Sequence, residues 1–189
     1  MAAQAIAPPS GNRIWIPVGR ENRASPAQPE AVRSVLNIPG HMHFGSFVWD
    51  ENRIPKGRLW MRVDLTHQLM SVFRGGHEIG TAVILYGADS KATPAGSFTI
   101  LEKDAHHISR SYDAPMPYML RLTTDGVAIH GSNVRQGWAT HGCIGVPLDF
   151  ARLLFAAANK GDLVIILPQP GDDNTQASRV GSNRKADVR

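Results

Sequence analysis

Cysteine is nearly missing from this chain: Cys143 is the only one in 189 residues. A single thiol excludes an internal disulfide, so no covalent staple helps this fold. No run of about 18 apolar residues, the length of a membrane-spanning helix, occurs. The opening Met1–Pro9 lacks both the basic and the long apolar part of a secretory leader. The expectation is therefore either a cytosolic chain or one whose leader lies outside this sequence. Aromatics are only 7% of residues and form no series on which bases could stack. The net charge of +4 suggests nucleic acid until it is divided along the chain. Residues 59–167 carry nine Lys/Arg and nine Asp/Glu, and the excess of positive charge lies in the flanks. A neutral centre without a basic face excludes a nucleic-acid interface there. Internal repeats are absent as well.

What remains is ordinary globular material, 42% hydrophobic and 19% charged, enough for one domain with a sizeable core. Residues 1–56 read as an arm or linker rich in Pro, Ala, Asn and Arg, with one strand expected near Ile14-Trp15-Ile16. Residues 57–168 read as the domain, and 169–189 as a polar tail. Period-two patterning dominates the centre. Leu59–Leu65 alternates with Arg62 and Asp64 outward, Leu69–Phe73 follows a Thr66-His67-Gln68 turn, and Gly75-Gly76 opens Ile79–Leu85. Ser97–Leu101, Tyr118–Leu122 and Val127–Ile129 predict further strands, the last two joined at Asp125-Gly126. One helix is predicted over Leu148–Asn159, with Leu148, Ala151, Leu154/Phe155 and Ala158 as its apolar stripe and Gly161 ending it. Leu163–Leu167 is a final buried strand. The fold class is mainly β, a sandwich or barrel with one principal helix packed on it.

The chemistry concentrates in Ile129-His130-Gly131 and Thr140-His141-Gly142-Cys143-Ile144. A free thiol has a pKa of about 8.5, so at neutral pH it needs help to become a nucleophile. A neighbouring imidazole supplies that help by taking the proton or stabilising the anion. A lone Cys is often a small buried hydrophobe instead, but an inert core thiol needs neither two histidines nor a glycine hinge. Both His130 and His141 are open as the base; His141 stands two residues from Cys143, and residues two apart in extended chain point to one side. Backbone N–H groups at Gly142 and Cys143 suit an oxyanion, and a glycine at 142 frees the turn that aims them. His130, His141 and Cys143 have the donor types of a zinc site, yet a metal would occupy the thiolate the motif sets up. No metal and no cofactor is therefore assigned. His41/His43 and His106/His107 have no third ligand nearby and read as surface histidines.

In order and spacing, five pieces resemble the L,D-transpeptidase (YkuD) catalytic domain of bacterial cell-wall enzymes. They are Arg62–Met70, Thr93-Pro94-Ala95-Gly96-Ser97-Phe98, Met116–Leu122, Ile129-His130-Gly131 and Thr140–Ile144. The resemblance implies the YkuD-like β-sandwich and a cysteine thioester mechanism on peptidoglycan stem peptides. It implies Cys143 as nucleophile, His130 as main base and His141 as support. It also implies a backbone carbonyl near Gly131 or Ser132 as the orienter of His130, and a hydroxyl contribution from Tyr118. The loop Ser132–Thr140 is expected to wall the cleft, and Gly131, Ser132, Arg135, Trp138 and Thr140 are the residues expected to bind the stem. A periplasmic or cell-envelope location and a carbapenem adduct on the thiol are implied too. One departure stands out: the family usually has Arg or Asn two residues after the cysteine, and this chain has Gly145. Arg135 or Arg121 are the cations available to replace it. An L,D-carboxypeptidase using the same residues, and a non-catalytic wall-binding domain, are the alternative readings.

Overall fold

The computed structural model describes residues 13–17, 19, 22–25, 28–87, 91–109 and 113–170. The first residues of the arm and nearly all of the tail expected over 169–189 lie outside them. Among the described residues the elements run β1 (Arg13–Trp15), β2 (Ser34–Leu36), β3 (Phe47–Trp49), β4 (Leu59–Asp64), β5 (Leu69–Arg74) and β6 (His77–Val83). They continue with β7 (Gly96–Thr99), β8 (Glu102–Ser109), β9 (Ala114–Arg121), β10 (Ala128–Ser132), β11 (Ile144–Pro147), α1 (Leu148–Ala157) and β12 (Leu163–Leu167). Two sheets form a mainly β fold with one helix, as expected. The larger has the order β1-β2-β6-β5-β4-β12-β7, with β3 also paired to β6; the smaller is β11-β10-β9-β8.

The alternation predicted for β4 is real, but both of its faces are covered. Leu59, Met61 and Val63 enter the main core with Met70, Val72, Ile79, Ile84 and Val164. On the reverse face Trp60 stacks on Phe73 at 4.3 Å between ring centroids and joins Val32 and Ile165 in a second cluster. The described part of residues 1–56 carries three strands rather than one, β1, β2 and β3. β2 pairs β6 in parallel, β1 pairs β2, and Val32 seals the Trp60 cluster. Three-residue strands are too short to show a period, so no pattern announces them.

The helix starts and stops close to prediction, but its buried stripe is rotated. Phe150, Ala151 and Leu154 are buried, whereas Leu148 is 53% exposed. Phe150 meets Phe47 and Trp49 edge-on, at 5.9 and 5.5 Å between centroids. Fully burying such a ring stabilises by roughly 1.5–3 kcal/mol, which outweighs the first-turn leucine. At the other end the helix carbonyls are capped from a distant strand. Lys103 Nζ on β8 donates to Phe155 O at 2.7 Å and to Ala158 O, and lies 4.5 Å from the Phe155 ring centre. A cation at exposed C-terminal carbonyls is favourable. The contact also fixes the β8–β9 hairpin against α1.

β8 is the longest of the strands not expected from the sequence; β2, β3 and β11 are the others. Glu102–Ser109 mixes charges and histidines without apolar alternation, yet it pairs with β9 from Glu102↔Arg121 to Ser109↔Ala114. The smaller sheet is completed by a parallel pair, β10–β11, in the register Ile129↔Ile144, His130↔Gly145. That parallel return brings the cysteine loop back beside the histidine strand.

Candidate active site

β9, β10 and the loop ahead of β11 enclose a cavity of about 590 Å³. Cys143, His130, His141 and Thr140 all line it. The thiol is partly buried against Met116, Met119 and Ala128. Its hydrogen is donated to Gly126 O at 3.7 Å. Burial pushes the Cys143 pKa up, while the Ala128 backbone N–H and the Lys91 charge pull it down and Asp125 raises it. The upward shift means that the resting sulfur is a thiol and needs a base.

His130 fits that task. Its Nδ1 lies 2.9 Å from Gly131 O. A carbonyl only accepts, so Nδ1 carries the proton and Nε2 keeps its lone pair. The orienter expected near Gly131 or Ser132 is thus the Gly131 carbonyl. Burial lowers the His130 pKa, the Gly131 hydrogen bond raises it, and His107 lowers it further. The ring is held neutral, as a base must be.

The cysteine loop is braced from two sides. Gly142 has φ +96°, a left-handed conformation that favours glycine. Thr93, only 6% exposed, accepts the Gly87 N–H at 2.9 Å and donates to Gly142 O at 3.0 Å. Gly87 is pressed against the same turn: a Cβ there would stand 2.6 Å from Gly142 N and 2.1 Å from Lys91 O. Thr93 of the Thr-Pro-x-Gly element is therefore more than a bend, because its hydroxyl ties two loops together. Thr140 works from the other side. Its hydroxyl donates to Cys143 O, and its N–H donates to Tyr86 O at 3.0 Å.

Other expected residues lie elsewhere. Tyr118 has φ +56°, which interrupts the strand alternation. Met116 and Met119 face the cavity, while the Tyr118 ring packs on Phe155 at 5.8 Å, away from the lining. Gly131 and Ser132 line a second hollow of about 480 Å³ with Pro117, Pro147 and Leu148. Trp138 is 57% exposed, with the Arg135 guanidinium 5.8 Å from its ring centre and Arg135 Nε donating to Asn133 Oδ1 at 3.1 Å. Neither Trp138 nor Arg135 lines the thiol cavity.

Gly145 has a steric explanation. A Cβ there would lie 2.9 Å from Ser132 Cβ and 3.4 Å from Leu85 Cβ. The Gly145 backbone also exchanges hydrogen bonds of 2.8 and 2.9 Å with Leu85. Ser132 and Leu85 fill the space that an Arg or Asn side chain would need. Of the two substitute cations, Arg121 lines the cavity, in an ion pair with Glu102, and Arg135 does not. The sequence reading also missed Lys91, Asp125 and His107, all in the lining. His107, expected at the surface, lines the cavity because pairing opposite Met116 brings it there. Its position on a strand without apolar period left no signal.

A thiol on a glycine-hinged turn and a carbonyl-anchored imidazole thus line one cavity of a two-sheet scaffold. The profile of the L,D-transpeptidase catalytic domain (YkuD) matches residues 58–166 of this chain. The chain belongs to this family. It is 31% identical over 114 residues to L,D-transpeptidase 1 of Mycobacterium tuberculosis, a match covering 51% of this chain and 45% of that one. The chain thus spans about half the length of that relative. Among solved structures, an L,D-transpeptidase from Stackebrandtia nassauensis superposes with a TM-score of 0.56 at 23% identity, over 65% of this chain and 62% of that one. L,D-transpeptidase 1 of Mycobacterium tuberculosis does so with a TM-score of 0.52 at 27% identity, over 59% and 62%. An L,D-transpeptidase in complex with imipenem gives 0.55 at 25% identity, over 58% of each chain.

Proposed function

We propose that residues 57–168 catalyse L,D-transpeptidation of peptidoglycan stem peptides, with Cys143 as the nucleophile. His130 Nε2 takes the thiol proton as Sγ attacks the carbonyl of the L-centre of a diaminopimelate residue. The tetrahedral oxyanion is held by the Gly142 and Cys143 N–H groups, which lie just ahead of the β11 ladder. His130 returns the proton to the departing amine, D-alanine leaves, and a thioester to Cys143 remains. An amine of a second stem then attacks the thioester, with His130 again as base, to give the cross-link. His141 and Thr140 support the loop, and no cofactor is needed.

The observation that carries this reading is a thiol and a neutral imidazole, Nδ1 tied to Gly131 O at 2.9 Å, in the lining of one cavity. The same arrangement accepts a carbapenem, whose strained carbonyl acylates the thiol; the relative bound to imipenem supports this. Such a substrate places the protein at the cell envelope, outside the cytoplasmic membrane. No described helix is long and apolar enough to cross a membrane.

The test is incubation of the protein and its Cys143→Ala variant with a disaccharide–tetrapeptide, with products read by mass spectrometry. Cross-linked dimer and free D-alanine, absent with the variant, are expected. Tripeptide alone would make the protein an L,D-carboxypeptidase, and no Cys143-dependent product would remove the enzymatic reading.

A further inference from the structure

The cavity has two strong cations that the mechanism leaves unused, Lys91 and Arg121. Lys91 lines it together with Cys143, His141 and Asp125. Its carbon stem runs along Gly142: a Cβ at that glycine would lie 3.3 Å from Lys91 Cγ and 3.6 Å from both Cδ and Cε. The backbone beneath it is fixed. Gly87 is pressed between Lys91 O and Gly142, and Thr93 bonds both Gly87 and Gly142. Lys91 is therefore carried by the same clamp that holds the nucleophile turn. No described carboxylate forms a salt bridge with it, whereas the other strong cation of the lining, Arg121, is spent on Glu102. Lys91 and Asp125 line the cavity together and act on the sulfur with opposite sign, and the Lys91 charge also lowers the Asp125 pKa.

From this we infer that Lys91 forms an anion subsite beside Cys143, which binds a carboxylate close to the attacked carbonyl. In the acyl transfer proposed above, on which this substrate assignment rests, that carboxylate is the free terminus of the departing D-amino acid. Lys91 is then a specificity-determining residue for donors that end in an acid rather than an amide. Gly142 has a second duty here, since any side chain at that position would displace the Lys91 stem.

Alkylation of the full chain tests the subsite without turnover, because Cys143 is the only thiol. Rates with iodoacetate and with neutral iodoacetamide are measured for the protein, for Lys91→Met and Lys91→Arg, and for N-acetylcysteine as reference. The ratio cancels any change in the thiol's own pKa. The protein is expected to favour iodoacetate, relative to the reference, by roughly three- to tenfold, the size of one screened unit charge a few ångströms away. Lys91→Met abolishes that preference and Lys91→Arg keeps it. A ratio equal to the reference, or one unchanged in Lys91→Met, would overturn the subsite. The substrate assignment is read separately with tetrapeptide donors ending in a free acid or an amide. Lys91→Met raises KM for the acid donor alone; an equal change for both donors would refute it. Failure of Cys143-dependent turnover in the unmodified protein would refute the transpeptidase reading and leave the alkylation result standing.

Discussion

The two sheets are built to different rules. Every residue of β6, in the middle of the large sheet, is buried, and the sheet is covered on both faces by separate apolar clusters. β8, at the edge of the small sheet, has no fully buried residue and carries Glu102, Lys103, Asp104, His106 and His107. The large sheet buries the polar side chains of its middle strand with partners, His77 against Ser34 and Glu78 against the Leu36 N–H, whereas the small sheet turns polar side chains to a cavity. β10 joins the two regimes: Ile129 enters the core while His130, its neighbour, lines the site. Period two is thus used to attach chemistry to packing within one strand.

Substitutions on either side of this division should separate activity from stability. Cys143→Ala sits on the chemical side and has the largest effect. Acyl transfer falls by more than about a thousandfold, while unfolding free energy changes by less than about 1 kcal/mol. Turnover assays and urea unfolding of the same samples check both. Phe150→Ala is the converse. It removes a fully buried ring and costs about 3–5 kcal/mol in the unfolding free energy, yet the fraction still folded should alkylate at Cys143 at the original rate. Gly142→Ala crosses the division, since it strains a left-handed residue and misaims the oxyanion amides. Acylation by imipenem, followed by intact mass, should slow by about a hundredfold or more.

Thr93→Val is milder. It leaves Gly87 N–H and Gly142 O without their partner, a loss of about 1–3 kcal/mol, and slows acylation. Thr93→Ser retains the hydroxyl and should restore most of the rate. The smallest effect concerns pH. With neutral His130 as the proposed base and burial lowering its pKa, the acid limb of the acylation profile is expected below the ordinary imidazole value of about 6.5. His107 adds to the lowering, so His107→Asn should move that limb upward. A downward move, or none, in the rate–pH profile would remove His107 from the electrostatics of the site.

The division also explains what could be read from the sequence. The cavity lining by Thr140, His141 and Cys143 was legible because its parts are adjacent: a thiol, a glycine hinge and a histidine lie within a few residues. The β4–β5–β6 meander was legible because each strand is long enough to show alternation. Phe150 was missed as the helix's anchor because its partners, Phe47 and Trp49, come from a remote segment that no local stripe reveals. Tyr118 was expected in the cleft on a regular strand, and a positive φ turned it toward Phe155 instead. Lys91, Asp125 and His107 reach the cavity only through pairing between distant strands and loops. Hydrophobic patterning carries no information about such polar convergence. Gly145 was visible as a departure, but its cause, the Ser132 and Leu85 side chains above it, exists only after folding.

The central claim is that the single thiol becomes acylated by a stem peptide with His130 as its base. Brief incubation with a disaccharide–tetrapeptide, acid quenching and intact-mass analysis would trap the thioester. The account predicts a protein heavier by the acyl tripeptide–disaccharide, located on the peptide containing Cys143. That adduct should be absent from Cys143→Ala and form far more slowly in His130→Ala. An adduct on another residue, or D-alanine released equally fast by Cys143→Ala, would contradict it.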